Sequence, residues 1–434
     1  MFRRPTRRSV LLATLGAAAA SGAPGALAAP AVVARRSTLS VADAAFGQAG
    51  TGGDDAASFE ACIAAAIESG ARSILVPASA DGYRLERSVV APIKAGKLRI
   101  VGEGAASQIT VAFDGPGFVI EASLTTLENL NFMGGRSGAA TAVRFAKQSN
   151  PDDVDATVTG CTFMKFNRAV EHVGRGLLLR GNTFAACDLG VGFDWPTGRV
   201  AAKDGPLHNA PLGFRKIIAT DNLGHALSRF FENASEAPLI GAQLNNNHMD
   251  IGRAFWSGPI AYSQMRDNMV RNCKRTPIVV TGPGRGLDIS GQYGGTEEPD
   301  PPSESVHQPD WGVEFQSEEA ADEVKIDVQV FQVRRGGVRF RGGVTRSDIR
   351  AIVSRATFDA PQPDAAVIVG GDIRNTRFAI VDDAAPGSDR PVVRTGGDVA
   401  GATFDLSPAV GTPLSVRGRA DGSLLNGRSF PPER

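Results

Sequence analysis

"RGNTFAAC" (residues 180–187) and "RDNMVRNC" (residues 266–273) carry Arg, Asn and Cys at the same places, with an apolar residue at the fifth. The same grammar recurs between and before them. With the Asn as anchor, "TGCTFMKF" (159–166), "TDNLGHAL" (220–227) and "NNNHMDIG" (245–252) align with the first two on Cys161, Asn182, Asn222, Asn247 and Asn268. The second position after the anchor reads Phe163, Phe184, Gly224, Met249, Val270, and the fifth reads Phe166, Cys187, Leu227, Gly252, Cys273. The spacings 161 to 182 and 247 to 268 are both 21 residues. A later set, "IDVQVF", "SDIRAI", "GDIRNTRF" and "GDVAGATF", places Asp327, Asp348, Asp372 and Asp398 at intervals of 21, 24 and 26.

A period in the low twenties, with short apolar runs and polar or Gly turns, marks a solenoid, because a unit that short cannot bury its own apolar face and must stack on its neighbours. Runs of Val, Ile and Phe argue strands over helices, and Asn suits a tight turn while offering a side chain that can bond to adjacent backbone. The reading is an all-β chain, a single right-handed parallel β-helix of about a dozen coils from Tyr83 to Asp405, roughly 55–60 Å long at about 4.8 Å per coil. Asn side chains on successive coils are expected to form a ladder. Cys187 and Cys273 fall at one inward position several coils apart, beyond disulfide reach, so they are expected as buried free thiols.

The segment before the repeats contains one helix pattern. Asp54 or Asp55 is the N-cap, Phe59, Ile63 and Ile67 recur at four-residue spacing, and Gly70 is the stop. The strand Ser73–Val76 follows, closed by Pro77. This stretch and "LRIVGEGAASQI" (98–109) resemble the N-terminal segment of the pectate-lyase/polygalacturonase superfamily of right-handed β-helices. That pattern normally reads Asp-Phe-Gly-Ala, Gly-Asp-Gly, then Thr-Asp-Asp before the helix and Val-Pro after the strand. Here Ala45 and Thr51 replace two of the Asp residues and the Thr before Asp54 is missing. The resemblance covers about 70 residues. It implies the fold and a structural cap over the open end of the solenoid, and fold does not carry activity with it. It also implies Ca²⁺ as a conceivable cofactor, since related pectate lyases use it. The residues themselves imply none: the five His make no zinc spacing, and "NPDDVD" (150–155) reads more simply as a solvated acidic turn.

Residues 1–29 are expected to be an export signal, with a basic start, an apolar stretch from Val10 to about Ala20 and the small-residue site Ala26-Leu27-Ala28. Thr6-Arg7-Arg8-Ser9-Val10-Leu11 resembles a twin-arginine signal, with Val10 where Phe is commoner and Leu12 where Lys is; an ordinary secretory signal is the alternative. The chain is then periplasmic or secreted, with a cap segment at 30–80, the β-helix at 81–405 and a tail at 406–434. No other run approaches the ~20 apolar residues of a membrane span. The balanced 46 basic and 46 acidic residues become slightly acidic once Arg3, Arg4, Arg7 and Arg8 are removed, which argues against a nucleic-acid partner. The oligomeric state is left open.

A repeat turns sequence offset into spatial neighbourhood. The third position after the anchor reads Met164, Ala185, His225, Asp250, Arg271. His225, Asp250 and Arg271 on consecutive coils suit β-elimination from a uronic acid: Arg271 neutralises the carboxylate and acidifies the adjacent proton, His225 takes that proton, and Asp250 orients either group. The plainer reading is a solvated turn column whose Arg–Asp pair is worth at most ~1 kcal/mol. The position before the anchor gives Asp221 and Asp267 two coils apart, approaching the ~6.5–9.5 Å of an inverting hydrolase's acid and base; turn hydrogen bonding explains the same residues. The polygalacturonase motifs (Asn-x-Asp, a paired Asp-Asp, Gly-His-Gly) are not present in that order. Gly224-His225 is followed by Ala226, too small a fragment to carry roles.

Arg229, Arg253, Arg271, Lys274 and Arg275 form a basic cluster suited to an acidic glycan, or simply a solvated cationic face. Two long insertions, 194–213 and 294–311, bracket these coils, and long loops on a rigid scaffold commonly carry function. Their Trp195, His208, His307 and Trp311 are candidate walls of a sugar cleft; partner contact, or plain disorder of the acidic second loop, is the alternative. The leading expectation is therefore an exported carbohydrate-active enzyme cleaving an acidic polysaccharide by elimination. An inverting hydrolase or a uronate epimerase on the same fold, and a non-catalytic glycan-binding or envelope β-helix, are the alternatives.

Overall fold

The computed structural model describes residues 37–47, 49–135, 139–146, 155–173, 176–193, 216–295, 308–355, 365–383, 391–407 and 413–429. These belong to the unit spanning 36–434. The expected export signal and most of the 194–213 and 294–311 insertions lie outside the described residues.

Successive coils pair in parallel, and the chain is a right-handed parallel β-helix. One ladder runs Ser73–Val76, Arg99–Gly102, Thr125–Glu128, Asp155–Thr159, Gly176–Arg180 and onward to Thr403–Ser407. A second runs Gln108–Val111, Asn131–Gly134, Thr162–Met164, Thr183–Ala185 into the long strands Leu223–Asn233 and His248–Gly258. A third runs Pro116–Ile120, Thr141–Phe145, Arg168–His172 and Leu189–Phe193 toward Leu414–Val416. The stack extends further than the repeat alone implies. Thr38–Ser40 already pairs with Ser73–Leu75, and beyond 405 Leu414 and Leu424 continue their ladders. The segment expected as a tail therefore includes a last coil, which ends in an antiparallel pair, Leu424–Leu425 against Arg428–Ser429.

The anchor column is the expected ladder. Asn222 Nδ2 donates to Asn247 Oδ1 (2.9 Å) and to the Leu179 carbonyl (3.2 Å), while Asn222 Oδ1 accepts from Asn182 N (3.0 Å) and Nδ2 (2.9 Å). Asn182 and Asn247 repeat this pattern, and Cys161 N closes it by donating to Asn182 Oδ1 (3.0 Å). All four Asn are buried. The residue before each anchor turns the corner in left-handed backbone: Gly160, Gly181, Asp221, Asn246 and Asp267 have φ of 61, 62, 58, 52 and 56°. Gly, Asn and Asp tolerate that region best, which explains the residue types at that position.

The core is a column of rings. Phe118, Phe132, Phe163, Phe184, Phe230 and Phe255 follow one another at centroid distances of 5.1–5.9 Å. Gly224 breaks the Phe pattern for a reason: a Cβ there would meet Leu227 at 2.7 Å and Phe230 at 3.1 Å, so the missing side chain leaves room for the Phe230 ring. The helix Ala56–Ser69 closes the N-terminal end. Its Phe59 lies edge-on to Phe118 (5.5 Å) and Tyr83 (5.7 Å). Asp54 Oδ1 accepts from Ala56 N (3.2 Å) at its start, and Gly70 ends it at φ 72°. Asp55 instead ties the helix to the first coils through Gly50 N (2.9 Å) and Arg84 N (2.8 Å).

The later Asp set is not one column. Asp327 stands beside Arg350, and Asp348 beside Lys325 and Arg377, whereas Asp372 and Asp398 do share a position, with Asp398 N donating to Asp372 Oδ1 at 2.9 Å. Coil length is the cause. The step from Asp327 to Arg350 is 23 residues and from Asp348 to Arg377 it is 29, so equal spacing in sequence does not mean equal position on the coil.

The ladder gives a stability prediction. Asn222→Ala removes the acceptor of Asn182 N, one of the two acceptors of Asn182 Nδ2 and one donor to Asn247 Oδ1, and should cost about 2–4 kcal/mol in denaturant unfolding. Asn222→Asp removes the donor and sets a buried carboxylate against two oxygens, which raises its folded-state pKa above the unfolded value. Its stability deficit should therefore shrink as pH falls through the carboxylate range and grow as pH rises.

Candidate functional site

The strand pairing places His225, Asp250 and Arg271 on consecutive coils, as one continuous column: Ala185 faces His225, His225 faces Asp250, and Asp250 faces Arg271. His225 Nδ1 lies 3.7 Å from Asp250 Oδ2, an ion-pair distance longer than a hydrogen bond. The His225 side chain is 53% exposed. Asp250 is held from its other oxygen, Oδ1 accepting from Asn272 Nδ2 at 2.8 Å. Arg271 is exposed and makes no hydrogen bond or ion pair with another described residue. Asp250 does not engage it. The column thus sets an imidazole within ion-pair distance of a carboxylate, beside a guanidinium that has no partner among the described residues.

Asp221 and Asp267 stand two coils apart in the corner column. Asp221 Oδ1 accepts from Asn246 Nδ2 (2.6 Å). The Asp267 amide donates to Ser290 Oγ (3.1 Å), and that hydroxyl donates to Asp267 Oδ1 (3.4 Å). Their side chains bind neighbouring corners, in keeping with their left-handed backbone.

Three residues past His225, Asp250 and Arg271, beyond a second left-handed corner at Ala226, Ile251 and Asn272 (φ 54, 57 and 52°), the strands enter a groove of about 820 Å³. It gathers Arg229, Arg253, Lys274 and Arg275, the remainder of the basic cluster. Arg229 is neutralised by an ion pair with Glu232. Arg253, Lys274 and Arg275 are exposed and have no side-chain partner among the described residues. The groove and the His225 column lie on opposite sides of the corner, and none of His225, Asp250 and Arg271 lines the groove.

Two acidic groups in the groove carry no repeat signal. Glu314 is 7% exposed and lies near Arg339 (3.2 Å) and Arg341 (3.5 Å), with Gln316 donating to its second oxygen (3.0 Å). Asp310 sits between Arg334 (3.8 Å) and Arg335 (3.9 Å). The lone acid inside the apolar run Trp311–Phe315 is the signal that marks Glu314. Trp311 corrects an expectation: it is 2% exposed and lies under the Arg339 guanidinium, 5.8 Å from ring centroid to Cζ, and against Gly336, so its ring is core and offers no stacking face to a sugar. Trp195, His208 and His307 lie outside the described residues. Of 150–155 only Asp155 is described, and among the described residues no cluster of His, Cys, Asp and Glu is disposed to hold a metal. No helix among them is long and apolar enough to cross a membrane.

All four cysteines are free and buried. Burial pushes the thiols of Cys62, Cys161 and Cys273 up to about 12 and that of Cys187 to about 11, so none is a nucleophile at neutral pH.

No protein-family profile matches the chain and no curated protein sequence matches it. Solved structures resemble it at low identity. The Agl-KA catalytic domain is 15% identical with a TM-score of 0.47, over 93% of this chain and 69% of that one. The A-module of the mannuronan C-5 epimerase AlgE6 of Azotobacter vinelandii is 15% identical with a TM-score of 0.40, over 91% and 100%. The DFA-IIIase of Arthrobacter chlorophenolicus A6, solved with GF2, is 13% identical with a TM-score of 0.43, over 89% and 93%.

Thiol reactivity checks the burial directly. In native buffer at pH 8 a disulfide-exchange reagent should titrate fewer than one thiol per chain over the time in which the denatured chain reacts at all four cysteines.

Proposed function

We propose that the chain is an exported enzyme that cleaves an acidic polysaccharide by β-elimination, with His225 as the base, Arg271 as the group that neutralises the uronate carboxylate, and Asp250 as the residue that positions His225. The observation that carries this reading is the column itself: an imidazole, a carboxylate 3.7 Å from it and a guanidinium with no partner among the described residues, on three successive coils. A guanidinium on the carboxylate withdraws charge from C5 and acidifies its proton. His225 accepts that proton, the C4–O bond breaks, and a C4=C5 double bond forms in the uronate that becomes the new non-reducing end, while the departing oxygen, left on C1 of the preceding sugar, takes a proton from the His225 imidazolium or from water. Neutral imidazole is the competent form. Arg253, Lys274 and Arg275 supply cationic contacts for neighbouring uronates.

A second reading has one observation in its favour. The cationic groove does not contain the His225 column, and a chain that binds an acidic glycan in the groove without turning it over would have that arrangement.

The two readings separate on product formation. With pectate, alginate and glycosaminoglycan-type substrates, elimination should generate the ultraviolet absorbance of an unsaturated uronide. His225→Ala and Arg271→Ala should each lower the rate by about 100-fold or more with unchanged circular dichroism and melting. Undiminished turnover in both variants removes the column from the chemistry, and retention of an acidic glycan without product leaves the binding reading in its place.

A further inference from the structure

We infer that the glycan presents a uronate at Arg271 and neutral pyranoses at the positions that continue from it toward the C-terminal coils, so that the substrate is a heteroglycan and not a homouronate. This rests on the elimination reading and names the substrate class of that same site.

The coil changes shape just past Arg271. On the earlier coils a left-handed residue at Asp221, Asn246 and Asp267 bends the chain before each anchor. On the next coils that bend is lost. The strands Asp288–Gly294, Lys325–Val333, Asp348–Arg355 and Arg377–Asp383 run through the equivalent place, with Gly291, Val328, Ala351 and Ile380 in the anchor's register. Gly291 permits the step, since a Cβ there would run into the Asn268 carbonyl oxygen. Where the corner ends and the flatter face begins lies a second groove, of about 610 Å³. It starts at Asp267 and Met269, on Arg271's own strand. Met269 and Arg271 are two residues apart and so share the outer face, and the pairing of Val270 with Tyr293 sets Gly294, which has no side chain, next to Arg271. A glycan held by its carboxylate at Arg271 can therefore run on along the axis into this groove. Arg253, Lys274 and Arg275 lie across the other corner and do not line it.

The second groove offers hydroxyl partners and an aliphatic floor, and its charge is unfavourable to another carboxylate. Gln292 and Gln329 stand on successive coils, Gln292 Nε2 donating to Gln329 Oε1 at 3.2 Å. That leaves the Gln292 amide oxygen and the Gln329 amide N–H without partners among the described residues, an acceptor beside a donor, as a sugar hydroxyl requires. The same column continues with Ile352 and Val381, 49% and 43% exposed, a surface for the C–H face of a pyranose ring. Asp267 and Asp327 line the polar side, and the Asp327 carboxylate makes no hydrogen bond or ion pair with another described residue. Arg350, the one cation among the lining residues, is paired with Asp348 at 2.9 Å. Lys325, two residues before Asp327, stands in register between Asp288 and Asp348. Carboxylates accept strongly from hydroxyls and repel a second uronate.

The test sets linear glycans whose uronates are separated by uncharged sugars (gellan, hyaluronan and the alternating rhamnose–galacturonate backbone of pectin) against polygalacturonate and polymannuronate, read by the absorbance of the unsaturated product. At least one heteroglycan should be turned over with kcat/KM about tenfold or more above both homouronates. On that heteroglycan Gln329→Ala and Ile352→Ala, which alter exposed side chains, should each raise KM about fivefold while kcat falls less than about twofold. The paired change Asp267→Asn/Asp327→Asn should raise kcat/KM severalfold on the homouronates and not on the heteroglycan. The inference is overturned if a homouronate matches every heteroglycan, if both Ala variants keep the parent KM, or if the paired change leaves homouronate turnover unmoved. In each of those cases product still forms and the elimination reading stands. If no substrate yields unsaturated product, the elimination reading falls and affinity electrophoresis in the heteroglycans decides the groove. Retardation of the parent that Gln329→Ala/Ile352→Ala abolishes keeps the neutral-sugar groove, and equal mobility of the two chains removes it.

Discussion

The structure depends on a row of buried amides whose hydrogen bonds can be completed only by the coil above and the coil below. In water an Asn side chain is satisfied anywhere; inside this solenoid each carboxamide of Asn182, Asn222 and Asn247 donates to the next Asn and to a carbonyl of an earlier coil, and accepts from the one before. A slip of one residue would leave several buried polar groups unpaired, at about 1–3 kcal/mol each. The ladder therefore fixes the register of the central coils, and register decides which side chains become neighbours. Farther along, hydroxyls take over the same duty: Ser347 Oγ accepts from Val324 N (3.0 Å), and Thr376 Oγ1 from Ser347 N (3.4 Å).

Around that constraint the interior is filled by rings, and the ends are managed separately. A parallel stack leaves unpaired strand edges at both ends, which invite association. Here the helix Ala56–Ser69 puts Phe59 over the first rings, and an antiparallel pair ends the last coil. Exceptions to the repeat have packing reasons. Gly224 gives its space to Phe230, and Gly252 gives its space to Met249, whose sulfur would lie 2.9 Å from an added Cβ.

The fold and the central columns were legible because the Asn anchors, the apolar second position and the Gly/Asn/Asp corner residues each answer to a single physical demand that repeats every coil. The register of Asp327, Asp348, Asp372 and Asp398 was not, because coil length there changes from 23 to 29 residues and no buried amide marks the slip. The site was half legible. Offset counting brought His225, Asp250 and Arg271 together, and brought Arg253 and Lys274 together, but it could not show that a left-handed corner at Ile251 separates the two groups. Glu314 and Asp310 belong to no repeat and were invisible to it, and the burial of Trp311 depends on packing that a composition-based reading of the insertion does not contain.

The chemical proposal requires that His225 and Asp250 occupy adjacent coils with Arg271 one coil further. Paired cysteines measure this directly. On a background with the four native cysteines replaced by serine or alanine, the His225→Cys/Asp250→Cys chain should oxidise to an intramolecular disulfide, since adjacent parallel strands sit within the ~4.4–6.8 Å Cα separation a disulfide needs. The His225→Cys/Arg271→Cys chain, two coils apart, should remain reduced under the same conditions. Equal cross-linking in both chains, or a disulfide in the second and not the first, would contradict the register on which the whole account stands.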